Sequence, residues 1–452
     1  MVTIGNAQGF WGDRPNAARQ LLEQQPDLDF LTMDYLAEVS LSIMAIQQQK
    51  DPTAGYARDF LDTIRSLIPL WRKGLKTRII CNAGGLNPKG CAAAVIELLA
   101  SEGLNHLTVG LVTGDDVREV LQKDRNNTLF ANSESKCPLS DLTTPLNTAN
   151  AYIGAEPIVR ALDKGADIVI TGRVADPSLT VAACVYHYGW ALDEYDKIAG
   201  ATVAGHLIEC GTQVCGGFST HWMELKNPAQ MGYPIVEVAE NGSCIVTKPD
   251  DTGGAVTIET VKEQLIYEIG DPARYLSPDA TVSFRELEVK ITAPNRIAVS
   301  GAQGYPPPPT YKVSATYHDG FRAEGMLIIV GDSAPAKARR CGEVILDRLE
   351  RQPQRSVIEI LGTGGALHGV LPQPTDCLEC VLRVAVADSD RSIISAFCKE
   401  VAPLVTSGPQ GITGYASGRP KVRPIYAYWP CLIEREQVSI KSATFNEEVN
   451  IQ

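Results

Sequence analysis

The sequence predicts an α/β protein: a mostly parallel sheet with helices on both faces, followed by a smaller C-terminal α+β domain. Three observations carry that prediction. Short apolar or β-branched runs recur at Val2 to Gly5, Leu28 to Met33, Thr77 to Cys81, Leu107 to Val112 and Asp167 to Thr171, and each reads as a buried strand. Each is followed by a polar or glycine-bearing tip and then by helical composition, the rhythm of βαβ units. From Tyr233 onward the rhythm gives way to short alternating runs, and the last hundred residues read as a separate module. The expected division is residues 1–350 for the α/β domain, strand-rich from about 233, and 351–452 for the α+β domain.

Composition bounds the partners. The chain has 452 residues, 44% of them hydrophobic and 21% charged, as in a globular protein with two or three domains. Its formal charge of -12 argues against a nucleic-acid backbone or an anionic membrane as partner. No apolar run of about eighteen residues is present and the N-terminus opens directly on a strand, so a cytoplasmic protein is expected. Its twelve cysteines are scattered, as buried small hydrophobes in a reducing compartment would be, and Cys377 and Cys380 form a lone C-x-x-C pair.

The first tip, after Val2 to Gly5, is NAQGFWGDRP. Its glycines keep neither the dinucleotide-binding spacing nor the Walker lysine, and no flavin or pyridoxal signature appears elsewhere. Asp13 and Arg14 stand before Pro15, which fits the first turn of a helix, so free backbone N–H groups and a guanidinium are expected to meet an anion there. The competing reading is that Asp13 only caps the helix.

After Leu28 to Met33 come Asp34 and Glu38, four residues apart on an expected helix through Met44 and therefore on one face. Two carboxylates so placed repel unless a cation, a shared proton or a substrate hydroxyl lies between them. They are candidate catalytic groups. With Asp115 and His206 they are also ligands of the type a divalent metal takes, so the cofactor is left open with a metal as one expectation.

Thr77 to Cys81 ends in NAGGLNP, where Asn82 and Asn87 around a double glycine are candidate neutral hydrogen-bonding groups for a substrate. Leu107 to Val112 ends in Gly114-Asp115-Asp116. A less regular insertion from Asp124 to Pro145 separates it from the stretch around which the chain is organised, Asn147 to Gly217. There a helix from Ile158 to Gly165 precedes the strand Asp167 to Thr171, and Gly-Arg-Val-Ala-Asp follows at the strand's carboxyl end, ahead of a helix led by Pro177. Open α/β sheets bind ligands at that edge, so Arg173 and Asp176 are read as a substrate clamp, with mutual bracing of the turn as the alternative. In GHLIECGTQVCGG, His206 and Glu209 share one face of a helical turn as a metal-ligand or proton-transfer pair, and Gln213 adds a neutral donor.

Further on, hairpin strands are expected at Ile235 to Val238 and Cys244 to Lys248 and a helix over Gly253 to Tyr267, with Lys248, Thr252 and Glu259 placed to close over the ligand. GAQGYPPPPT reads as a polyproline-II-prone loop, Tyr311 to Tyr317 as a strand and Ala334 to Gln352 as a helix with a salt-bridged wet face. The final module combines a strand over Glu379 to Val386, a helix over Ser392 to Val401 and strands at Tyr426 to Leu432 and Val438 to Ile440. Gly408 to Pro420 reads as a glycine-rich lid or subunit contact.

Through these motifs the sequence resembles the acyclic terpene utilisation (AtuA-like) family over nearly its whole length. The resemblance lies in IGNAQGFWGDRP, DYLAE, NAGGLNP, GADIVITGRVADPSL, GHLIECGTQVCGG, TGGAVTIETVKEQLIYEI and GPQGITGYASGRP, in that order. It implies an N-terminal α/β domain with a C-terminal ferredoxin-like module, and an association with catabolism of citronellol- and geraniol-type acids as CoA thioesters. Read together with the residues, the expectation is a redox-neutral lyase, either a hydratase or dehydratase or a carbon–carbon lyase. The expected substrate is a small branched or polyfunctional carboxylic acid or its CoA thioester, of terpenoid or polyketide origin, and the protein is expected to be a homo-oligomer. Two alternatives stand beside it: a hydrolase or acyltransferase using Cys210 with His206, and a non-catalytic binding subunit.

Overall fold

The computed structural model describes residues 1–367, 369–370 and 377–445. Its strands, in chain order, are β1 (Val2–Asn6), β2 (Phe30–Met33), β3 (Arg78–Cys81), β4 (Val109–Thr113), β5 (Leu146–Ala151), β6 (Ile168–Thr171), β7 (Ile235–Val238) and β8 (Cys244–Thr247). There follow β9 (Tyr275–Leu276), β10 (Thr281–Ser283), β11 (Glu288–Ala293), β12 (Arg296–Ser300), β13 (Gln303–Tyr305) and β14 (Thr310–Val330). The last are β15 (Arg355–Leu361), β16 (Glu379–Asp388), β17 (Ile412–Tyr415), β18 (Arg423–Glu434) and β19 (Lys441–Phe445).

Two compact units result, Met1–Ala315 with the stretch from Tyr428 onward, and Thr316–Ala427. The boundary expected near 350 is therefore misplaced. The 21-residue strand β14 runs through the division at Ala315, and β19 returns to pair with β4 of the first unit. No helix among the described residues is long and apolar enough to cross a membrane.

The first unit is built on a ten-stranded sheet of order β11-β12-β8-β7-β1-β2-β3-β6-β4-β19. Its middle, β1-β2-β3-β6-β4, is parallel. The flanking strands pair antiparallel, so the sheet is mixed and not mostly parallel. The physical reason is connection length: β7 and β8 are separated by a short turn that only an antiparallel hairpin can close. Helices Ala17–Gln24, Asp59–Trp71 and Pro88–Ser101 lay Leu21, Phe60, Ile64, Val95 and Leu99 against Leu31, Met33, Ile79, Cys81, Ile168 and Ile170. Burial of that many large side chains, about 1.5–3 kcal/mol apiece, is what fixes the parallel strands. Because these strands run the same way, Asn6, Asp34, Asn82, Asp115 and Arg173 all emerge at one edge.

The second unit runs strand, helix, strand, strand, helix, strand, with the sheet order β15-β16-β14-β17 and antiparallel pairing throughout. Helices Ala334–Asp347 and Arg391–Glu400 cover one face through Ala338, Cys341, Ile345, Ile394 and Phe397. Ile412–Tyr415, inside the glycine-rich stretch expected to be a lid, is a strand on β14; Gly411, at φ 106°, makes the turn into it. Cys380 belongs to this unit's core, and Cys377 contacts the carbonyl of Glu379.

Candidate active site

Four of the parallel strands deliver a connected polar cluster. Asp34, just past β2, is buried; its Oδ1 accepts from the N–H of Leu36 at 3.1 Å and from Asn82 Nδ2 at 2.6 Å. Asn82, past β3, turns its own oxygen to the N–H of Tyr35 at 2.6 Å. Asp115, past β4, accepts from the N–H of Arg173 and from Asn150 Nδ2, both at 2.8 Å. Burial pushes Asp34 and Asp115 each up to about 6, against the hydrogen bonds they accept.

Arg173 is the hub. Only 2% of it is exposed, its Nη1 donates to the carbonyl of Leu36, its Nη2 holds Asp176 at 2.7 Å, and its guanidinium lies 4.1 Å from the centre of the Tyr152 ring. Burial opposes the charge, but Asp176, Tyr152, Asp34 and Glu38 hold it on. The Asp34 carboxyl also acts on Asp176 and pushes it up. Burial raises both carboxyls and Arg173 pulls both down; the charge of Asp34 adds to the rise of Asp176, and that of Glu209 to the rise of Asp34.

Glu38 does not share a helical face with Asp34. The helix Glu38–Lys50 starts after Asp34, because the backbone at 34–37 is spent on Asn82, Asp34 and Ser40 in a side-chain-bonded turn. Glu38 instead accepts from the Tyr152 hydroxyl at 2.8 Å, and Lys312 lies 3.7 Å away. Despite partial burial its acidity is increased by its own backbone N–H, by Tyr152, by Arg173 and by Lys312.

His206 and Glu209 occupy the last turn of the buried helix Tyr195–Glu209, where their i, i+3 spacing brings Nδ1 within 2.9 Å of Oε1. His206 Nε2 is 2.8 Å from the main-chain carbonyl of Gln264. A carbonyl only accepts, so Nε2 carries a hydrogen, and the bridge between Nδ1 and Oε1 holds one proton whichever partner owns it. Burial lowers His206 to about 4, and burial followed by the charges of Asp176 and Glu268 raises Glu209 well above the usual carboxyl range. The proton therefore rests on Glu209. Its other oxygen, Oε2, is buried with no hydrogen-bond partner among the described residues.

A pocket of about 440 Å³, a small-molecule size, brings these groups together. Asp176, His206, Glu209, Glu38, Glu268, Tyr152 and Lys312 line it, with Ile269, Leu276, Pro278, Pro308 and Leu432 as apolar wall. Arg173 is not a lining residue; it holds from behind the Asp176 carboxylate that is. Its expected role as a direct clamp on a substrate anion would require it to give up Asp176 or the Leu36 carbonyl, so the geometry makes it a brace.

Other expected site residues lie elsewhere. Asp13 accepts from the N–H of Gly9 at 3.0 Å, from its neighbour Arg14 and from the Tyr233 hydroxyl, which makes it the clasp of its loop. Arg14 reaches Gln20, and the helix starts at Ala17 behind Asn16, later than Pro15 suggests. Asn87 caps the helix Pro88–Ser101 through the N–H of Gly90 and binds the carbonyls of Thr53 and Ala54. Gln213 sits in the short turn Gly211–Cys215 and does not line the pocket. Lys248 is bonded to Thr252, and Glu259 is on the outer face of the helix Ile258–Ile266. Among the described residues no group of three or more His, Cys, Asp or Glu side chains is arranged to hold a metal.

Tyr152, Gln264, Glu268 and Lys312 were not singled out from the sequence. Tyr152 follows β5, whose LNTANA reads as polar loop because its pairing partner, β14, lies far along the chain. The one local signal was Tyr152's place between two motifs that do contribute.

These features define a mixed α/β protein with a carboxyl-rich pocket at the carboxyl edge of a parallel strand set. Residues 2–444 match the family described as acyclic terpene utilisation family protein AtuA, and the chain belongs to that family. No curated protein and no solved structure matches it.

Proposed function

We propose that the protein is an enzyme of acyclic terpenoid breakdown, a redox-neutral lyase that adds or removes water, or breaks a carbon–carbon bond, next to the carbonyl of a branched acid or its CoA thioester. The observation that carries this reading is the meeting at one pocket of the Asp176 carboxyl, held by Arg173, and the His206–Glu209 pair, bridged at 2.9 Å. The family description supports the substrate class, and the apolar walls suit a hydrocarbon chain better than a sugar or nucleotide. In the second unit, the strand order supports the ferredoxin-like reading of that module.

In hydration of an enoyl thioester, water oxygen bonds to the β-carbon while its proton passes to the Asp34–Asp176 pair. The double-bond electrons move toward the carbonyl as an enolate. Glu209 then delivers its proton to the α-carbon, and His206 Nδ1, fixed by the Gln264 carbonyl, orients the carboxyl that gives it up. Dehydration is the reverse.

The cysteine alternative fares less well, because both His206 nitrogens are engaged and burial raises the Cys210 thiol. The test is incubation of the purified chain with branched acyclic enoyl, 3-hydroxyacyl and 3-hydroxy-3-methylacyl thioesters, with products separated by mass. Turnover lost in Glu209→Gln is the expected result. Tight binding of these thioesters without any turnover would leave the binding-subunit reading in its place.

A further inference from the structure

The second unit carries a charge pattern that the first unit's chemistry does not use. Helices cover one face of its sheet; on the other, the register β15-β16-β14 sets side chains in rows across three strands. Arg355 pairs with Ala387, and Ala387 with Arg322, so two guanidiniums flank an alanine at strand spacings of about 4.8 Å each. The next row, Val357, Ala385 and Glu324, is small and mostly apolar. In the third, Arg383 is held between Glu359 and Glu324. Arg419, Lys421 and Arg423 add three cations along the rim.

The result is a groove of about 540 Å³ lined, among the described residues, by six cations and a single carboxylate, Glu324, on a chain whose formal charge is -12. Only Arg383 is fully committed. Arg355 reaches Asp319 at 3.4 Å in an exposed contact, while Arg322, Arg419, Lys421 and Arg423 have no ion pair or hydrogen-bond partner among the described residues. Several cations along one groove raise its local positive potential and favour an anion that can reach more than one of them.

We infer that this groove binds the phosphates of a nucleotide, specifically the 3′-phosphorylated ADP carried by a CoA thioester; the naming of that source rests on the substrate class proposed above. Guanidiniums on both sides of a small-residue floor suit several phosphate groups bound by forked hydrogen bonds. The alanine and valine floor admits a flat base. A polynucleotide fits poorly, because among the described residues no aromatic side chain lines the groove to stack successive bases and the rest of the chain is acidic.

The test is calorimetric titration of the full chain with CoA, 3′-dephospho-CoA, ATP and inorganic phosphate at two salt concentrations. CoA binding should weaken as salt rises, and Arg322→Ala and Arg423→Ala should each weaken it about tenfold or more, the scale of one lost charge-assisted contact. Arg339→Ala, the same charge removed from the exposed face of the helix Ala334–Asp347, should leave it unchanged. Loss of the 3′-phosphate should also weaken binding. CoA binding that is undetectable, or indifferent to Arg322 and Arg423, overturns the proposal; ATP or phosphate binding as tightly as CoA overturns the assignment of the source. Should Arg322→Ala lower the Tm, Arg423→Gln at an exposed, unpaired position decides alone. A groove that binds CoA in a chain that turns over no thioester would sink the acid–base reading and leave this one standing, and the converse result would do the reverse.

Discussion

His206 Nδ1 lies 2.9 Å from Glu209 Oε1 while the Gln264 carbonyl fixes the hydrogen on Nε2, so the two side chains hold one proton between them in a buried setting. Substituting Glu209→Gln keeps the shape and supplies an amide N–H for Nδ1, but removes the transferable proton. We expect kcat to fall by about 10²–10⁴-fold, the usual contribution of a general acid or base. The Tm should move little. Steady-state kinetics beside a melting curve separates the two; a large loss of Tm with residual activity in proportion would mean that Glu209 serves folding and not chemistry.

Asp115 gives a pH prediction. Its folded carboxyl titrates near 6, well above its ordinary 3.8, so between those values the native state holds a proton that the unfolded chain has released. Its contribution to stability is full below about 4 and is lost as pH rises through 6. Asp115→Asn still accepts from the Arg173 N–H and Asn150, and has no proton to lose. Relative to wild type, the variant should therefore gain stability as pH rises from 4 to 7, by up to about 1.4 kcal/mol per pH unit between 4 and 6. Denaturant midpoints of both proteins across that range measure it. Parallel curves would show that Asp115 is ionised throughout. His206, lowered to about 4, contributes with the opposite sign in wild type and variant alike, and so cancels in the difference.

Gly172 is where the chain turns from β6 into the cluster. A Cβ there would stand 2.3 Å from Asp115 Oδ1 and 2.6 Å from Oδ2. Asp115 cannot step aside without releasing Arg173 and Asn150. Gly172→Ala should cost about 1–3 kcal/mol, the scale of overpacking, in a chemical denaturation experiment. An unchanged midpoint would mean that Asp115 is not held as described.

How much of this was legible in the sequence follows from where each interaction comes from. Asp34, Asn82, Asp115 and Arg173 were readable as strand-end groups, because short apolar runs followed by polar tips mark parallel strands whatever their order. His206 and Glu209 were readable because i, i+3 is a local distance. The Asp34–Glu38 pair was misread: a turn stitched by Asn82, which lies 48 residues from Asp34, outbids helix propensity at 34–37. Tyr152, Gln264 and Lys312 were invisible for the same reason, since each reaches the site through a long-range contact. The mixed sheet escaped as well: β7, β8, β11 and β12 alternate like any hairpins, and nothing local says that they join the parallel strands through β1.

Arg173 carries the last prediction. The sequence alone casts it as a substrate clamp, whose replacement by lysine weakens substrate binding and leaves the fold nearly unchanged, with bracing of the turn as the alternative. The structure gives it three simultaneous jobs: the Leu36 carbonyl, the Asp176 carboxylate and the face of Tyr152. A lysine ammonium is a single point on a flexible stem and cannot serve two diverging partners while stacking flat on a ring. The Leu36 carbonyl, if abandoned, is left without water, whereas Asp176 faces the pocket with 31% of its side chain exposed. Removing one partner of a buried pair costs about 3–5 kcal/mol; lysine keeps the charge, so Arg173→Lys should cost less than that, on the order of 2 kcal/mol. The Tm should fall clearly. Asp176, losing part of the pull of Arg173, should hold its proton more tightly, so the pH profile of kcat should shift to higher pH along with the loss of stability. A variant that melts like wild type and is impaired only in KM would return Arg173 to the role of substrate clamp, and would require the Asp176 contact to be broken when ligand binds.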